Sequence, residues 1–152
     1  LSETGLPGDR LELEITETTI MADLPLAREA LRRLKRLGLY ISVDDFGTGY
    51  SSLSYLKIFP LDALKIDRSF VRDLGQDPQD EAIVTAITTL AKSLDLTVTG
   101  EGVETVEQLE FLREAGCDEI QGFLVSEPRP ADELAEILSR GSVTLEELQT
   151  RD

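Results

Sequence analysis

Ile41-Ser42-Val43-Asp44-Asp45-Phe46-Gly47-Thr48-Gly49-Tyr50 opens as an apolar, β-branched run, closes on two adjacent carboxylates and turns through two glycines one residue apart. The stretch predicts a strand that delivers charge to its own C-terminal end. Successive strand side chains point to opposite faces, so Asp44 and Asp45 reach one site only if the backbone bends beside them. Gly47 and Gly49 are expected to allow that bend. A lone Asp-Asp pair more often opens a polar βα loop, but here the neighbouring predicted strands also end in charge.

Working outward, Leu11-Glu12-Leu13-Glu14-Ile15-Thr16-Glu17 alternates with period two, as a half-buried strand does, with Glu12 and Glu14 on one face. Residues 1–10, with Gly5, Pro7 and Gly8, read as a connecting segment. From Asp23, a candidate N-cap, Ala27, Ala30, Leu31, Leu34 and Leu37 recur at helical spacing until Gly38. Downstream come a short helix from Ser51 to Lys57, a strand from Ala63 to Asp67, and a helix opened by Pro78 with the stripe Ile83, Ile87, Leu90, Ala91, Leu94. A strand then runs from Leu96 to Gly100 and ends at Glu101. Thr105 and Gln108 have capping-box spacing at the head of a helix carrying Val106, Leu109 and Leu112 to Gly116. Asp118 to Val125 reads as a fifth strand and Ala131 to Ser139 as a helix. In the tail, 140–152, Thr144 and Glu147 repeat the capping-box spacing and suggest a last short helix.

Five βα units in succession predict an α/β fold with a parallel sheet and right-handed crossovers. An open doubly wound sheet calls for near-continuous apolar strands, whereas these carry Glu14, Lys65, Asp67 and Gln121. Polar residues within strands suit the lumen of a TIM-like (β/α)8 barrel, whose upper layer is the active site. A closed barrel takes about 250 residues, so the chain reads as its C-terminal part, about five of the units. Open sheet edges would invite partner strands or a homodimer, with the Ser51 to Lys57 helix as the expected contact.

The 152 residues are 41% hydrophobic and carry a formal charge of −15. That is enough apolar content for one core, and a charge that repels polymeric nucleic acid and anionic membranes. With no apolar run of about 20 residues and no visible signal peptide, a soluble cytoplasmic protein is expected, any membrane tether lying upstream. There is no histidine and one cysteine, Cys117. Histidine-dependent triads, HExxH zinc sites, thiolate clusters and internal disulfides are therefore excluded. The predicted strand ends carry Glu14, then Asp44 and Asp45, then Lys65 and Asp67, then Glu101, then Gln121. Converging carboxylates suit Mg²⁺ or Mn²⁺. A pair of such ions about 3.5–4 Å apart would serve an in-line phosphoryl displacement.

Glu14-Ile15-Thr16-Glu17, Asp44-Asp45-Phe46-Gly47-Thr48-Gly49, Leu64-Lys65-Ile66-Asp67, Glu101-Gly102-Val103-Glu104-Thr105 and Gln121-Gly122 occur in this order. In that respect the chain resembles the EAL family, bacterial cyclic di-GMP phosphodiesterases. The resemblance runs from about Leu11 to Leu138, so that 11–139 would be the C-terminal portion of an EAL barrel. It implies hydrolysis of cyclic di-GMP to the linear dinucleotide with Mg²⁺ or Mn²⁺, two ions being expected. Glu14, Asp44, Asp45 and Glu101 would be metal ligands, Asp44 bridging. Lys65 and Glu101 would be catalytic, holding and activating the attacking water. Glu17 would steady the loop of Phe46, Gly47, Thr48 and Gly49, while Glu104, Asp67 and Gln121 would support the site or line the substrate pocket. Tyr50, Phe70 and Phe123 read as core residues rather than guanine-stacking ones.

Two departures from the family pattern bear on activity. The Glu-Ala-Leu segment and an Asn ligand belong to earlier strands that the chain does not contain, so the chain alone is expected to be inactive. Ser126-Glu127-Pro128 places an acid where the family commonly has Arg or Lys, and Gly100 replaces a common Ala. The parent would carry upstream sensor or GGDEF-like domains. The rival readings are a non-catalytic cyclic di-GMP-binding or dimerisation module and an enolase-like Mg²⁺ lyase. Retention of Asp44, Asp45, Lys65 and Glu101 argues against the first, and the Asp-Asp-Phe-Gly-Thr-Gly loop against the second.

Overall fold

In the computed structural model, which describes residues 1–48, 53–139, 141 and 144, five strands form one parallel sheet. They are β1 (Glu12–Thr16), β2 (Tyr40–Phe46), β3 (Ala63–Ile66), β4 (Thr97–Glu101) and β5 (Glu119–Gln121), in the order β1-β2-β3-β4-β5. The order decides the architecture. A doubly wound sheet reverses direction at a switch point to cover both faces, whereas an unreversed sequence of right-handed crossovers lays its helices on one side, as in a barrel wall. Among the described residues β1 and β5 have no strand on their outer sides.

The helices are α1 (Glu17–Ala22), α2 (Leu24–Arg36), α3 (Arg68–Arg72), α4 (Pro78–Ser93), α5 (Val106–Ala115) and α6 (Ala131–Ser139). Their ends follow from local chemistry. Asp23 caps α2 by accepting from Leu26 N at 3.0 Å, and Asp77 caps α4 by accepting from Gln79 N at 2.8 Å. The Thr105–Gln108 capping box opens α5, which stops at Gly116 with φ +92°. The helices α1 and α3, absent from the sequence reading, are only six and five residues long, too short to show a helical period. Leu53–Lys57 is a 3-10 helix. Gly49, Tyr50, the start of the expected Ser51 to Lys57 helix and the expected helix at Glu147 lie outside the described residues.

Ile41, Val43, Leu64, Ile66 and Val98 fill the sheet side of the core, and Leu31, Val71, Val84, Ala91 and Leu112 meet them from the helices. Three expectations need correction. On α4 the buried stripe is Val84, Ile87, Thr88 and Ala91, with Ile83 turned outward. Leu37 lies past the end of α2 and is exposed, while Leu31 carries the burial. The fifth strand stops at Gln121 instead of reaching Val125, because the chain then bonds to Val103: Val103 N donates to Gln121 O and Leu124 N to Val103 O. At the opposite ends of the strands, acids hold register. Asp62 accepts from Ile41 N at 2.8 Å and pairs with Lys35 at 2.6 Å, and Asp118 accepts from Val98 N at 2.9 Å. Cys117 is half-buried against Thr88, and burial pushes its thiol up.

Candidate active site

The charged residues meet at the C-terminal ends of the strands. The pairing of β2 with β3 runs Ser42↔Ala63 and Val43↔Leu64, then jumps to Phe46↔Ile66. One extra residue is thereby inserted in β2, a β-bulge. Asp45 sits in the bulge with φ +53°, a left-handed conformation that Asp tolerates better than most residues. The bend thus falls on Asp45 itself, two residues before the first of the glycines to which the sequence reading assigned it. Gly47, at φ +97°, continues the turn where an added Cβ would lie 3.1 Å from Phe70.

The bulge brings the two acids to one side. Asp44, Asp45 and Glu101 each present a carboxylate oxygen, all within 4.8 Å of one another. Three hard, anionic donors at this spacing suit a hard divalent cation. Loss of solvent and the adjacent Asp44 and Asp67 raise Asp45 above the usual carboxylate range. Burial raises Glu101 as well, with Lys65 opposing and Asp44 and Glu14 adding to the rise. A bound cation would relieve both.

Lys65, on β3 between the fully buried Leu64 and Ile66, is itself only 4% exposed. Its Nζ pairs with Glu101 at 2.6 Å and also with Glu14. Burial works against its charge, but the hydrogen bonds and charges of Glu101 and Glu14 prevail and hold it above the ordinary lysine value. Glu14 thus stands on Lys65, outside the compact group of three.

Asp67 caps α3, its Oδ1 accepting from Ser69 N at 3.0 Å and from the Ser69 hydroxyl. Burial opposes its ionisation, yet these bonds, with Asp45 and Arg68, keep it below the usual range. Glu17 is buried at the head of α1. Burial and then Glu17 raise the hydroxyl of Tyr55; the loop that Glu17 was expected to steady continues into undescribed residues.

A cavity of about 880 Å³ opens beside the three carboxylates, lined among others by Asp45, Asp67, Arg68, Glu101, Gln121 and Phe123. Glu104 is exposed on its wall. Phe123, expected in the core, is 61% exposed here, where β5 has already ended at Gln121; Phe70 does pack on the core, half-buried. Glu127 is exposed and is not among the lining residues. The sequence reading missed Arg68, Arg72 and Gln108 as cavity residues. For the arginines the signal was their spacing of four from each other, with Arg68 directly after Asp67; for Gln108 the capping pattern was visible but not its second bond.

A parallel, unreversed sheet with acids and a buried lysine gathered at the C-terminal ends of its strands is the class of a partial (β/α)8 barrel wall. The chain belongs to the EAL domain family, whose model matches residues 1–128. The cyclic di-GMP phosphodiesterase NbdA of Pseudomonas aeruginosa is 49% identical over 138 residues, which are 91% of this chain and 18% of NbdA. MucR of the same organism, a bifunctional diguanylate cyclase/cyclic di-GMP phosphodiesterase, is 50% identical over 130 residues, 86% of this chain and 19% of MucR. The solved PaMucR phosphodiesterase in complex with c-di-GMP superposes with a TM-score of 0.85 at 48% identity, over 88% of this chain and 54% of that one. Klebsiella pneumoniae BlrP1, solved with manganese and the same dinucleotide, gives 0.75 at 37% identity, over 81% and 31%. The chain spans about a fifth of the length of the curated relatives it matches. Among the described residues no helix is long and apolar enough to cross a membrane.

Proposed function

We propose that this chain is the C-terminal portion of a phosphodiesterase domain that hydrolyses cyclic di-GMP with Mg²⁺ or Mn²⁺. The observation that carries the reading is the convergence of Asp44, Asp45 and Glu101 beside a buried, doubly paired Lys65. Asp44, Asp45 and Glu101 would hold the cation, with Glu14 completing the set once its oxygen leaves Lys65. A bound cation supplies positive charge to the phosphate and acidifies water.

The chain's own groups do the rest. Lys65, charged throughout the physiological range, holds Glu101 in place and offsets the negative charge that grows on the phosphate in the transition state. Glu101, held in place by Lys65 at 2.6 Å, would orient the attacking water and accept its proton. Asp67 anchors the head of α3 so that Arg68 faces the anionic substrate. The exposed ring of Phe123 offers a stacking surface for a base. Earlier strands of the longer protein would supply the remaining ligands and close the barrel, and the open edge of β1 is where they would pair.

Hydrolysis of cyclic di-GMP with Mn²⁺ tests this on three proteins: this chain, a form extended upstream through the earlier strands, and the extended form with Lys65→Ala. Turnover is expected only in the extended, unmutated protein, with Lys65→Ala losing about 10²–10³-fold in kcat. Binding without turnover in the extended form would instead make it a non-catalytic binding module.

A further inference from the structure

The two walls of the cavity come from different βα units. Asp67, Arg68 and Arg72 belong to the β3–α3 segment, and Glu101, Gly102 and Glu104 to the β4–α5 segment. One buried side chain joins them. Gln108, in the first turn of α5 and 6% exposed, accepts at Oε1 from Glu104 N (2.8 Å) and Thr105 N (3.0 Å), while its Nε2 donates to Arg72 O (3.0 Å). Two N–H groups on one side and a carbonyl on the other allow only this orientation of the amide. Arg72 ends a five-residue helix in which the C-cap N–H of Asp73 goes to Val71 O, and the carbonyl of Arg72 is met by Gln108. Gln108 therefore caps the start of α5 and the end of α3 at once.

A second approach lies one turn of α3 away. Gly102, at φ +68°, packs so closely on Arg68 that an added Cβ would stand 2.6 Å from the Arg68 Cβ. Gly102 sets how near the walls can come, and Gln108 keeps them from parting.

We propose that Gln108 is a positioning residue that tethers the β4–α5 loop to the end of α3 and thereby fixes the width of the cavity. Resting on the phosphodiesterase reading, this assigns Gln108 to substrate affinity rather than to the chemical step. A helix cap alone needs only the Oε1 half of the side chain. The bond to Arg72 O is the half that a cap does not explain.

Two variants of the full-length protein separate the halves. Gln108→Glu keeps an acceptor for both N–H groups, since Glu serves a capping box as well as Gln, but cannot donate to Arg72 O. Gln108→Met is neutral and loses both halves. The tether predicts that both variants speed amide hydrogen exchange across residues 70–75 and raise KM for cyclic di-GMP about fivefold, the loss of one ordinary hydrogen bond, with kcat nearly constant. Only Gln108→Met should also loosen residues 104–109. Unchanged exchange at 70–75 overturns the tether. So does a KM rise confined to the charged Glu variant, or a fall in kcat that merely tracks a lower melting temperature. If the unmutated protein does not turn over cyclic di-GMP, the phosphodiesterase reading fails, and the exchange data alone decide the tether.

Discussion

Replacing Lys65 with Met removes a buried cation while keeping most of the volume of its stem. Nζ is the shared partner of Glu101 at 2.6 Å and of Glu14, and the Lys65 side chain is 5% exposed against 17% for Glu101 and 48% for Glu14. Breaking a fully buried pair by deleting one partner costs about 3–5 kcal/mol. Glu14 is half in solvent and can turn away, so the cost here falls to about 2 kcal/mol, borne by Glu101 among Asp44, Asp45 and Glu14. For a chain of this size that is a drop of roughly 4–8 °C in melting temperature. A divalent cation would replace the lost charge. Thermal melts of this chain and its Lys65→Met variant, in EDTA and in Mn²⁺, should show the variant less stable in EDTA and the two converging in Mn²⁺. A Lys65→Met protein as stable as its parent in EDTA, with no larger response to Mn²⁺, would refute the view that Lys65 neutralises this carboxylate cluster.

Asp45→Asn keeps a residue suited to φ +53° and removes a negative charge from beside Asp44 and Asp67. Metal-free stability in denaturant titrations should hold or rise while Mn²⁺ affinity by calorimetry falls about tenfold or more; Asp45→Ala should show the same affinity loss together with about 1 kcal/mol of backbone destabilisation. Gly122→Ala would place a Cβ 2.1 Å from Val103 O and 2.3 Å from Val103 N. Neither backbone atom can yield without moving the β4–α5 loop, so a loss of about 3 kcal/mol in chemical denaturation is expected, along with weaker ligand binding.

Much of this was legible locally. Alternation marked β1, the apolar run marked β2, and the caps at Asp23 and Thr105 marked α2 and α5, because each depends on residues within a few positions of one another. Glu14, Asp44, Asp45, Lys65 and Glu101 could be placed at strand ends for the same reason. Helices α1 and α3 were hidden by their length, and the exposure of Phe123 by the early end of β5, which depends on Val103, eighteen residues before the end of that strand.

The amino-acid order alone determined the succession of βα units and the excess of carboxylates without histidine. Only the tertiary structure decided which of those carboxylates meet. The unreversed strand order, the pairing with β3 that leaves Asp45 in a bulge, the placing of Lys65 between Glu14 and Glu101, and the bond from Gln108 to Arg72 all join residues far apart in sequence. Propensity and periodicity report each segment against water, whereas these contacts are set by how the segments pack against one another.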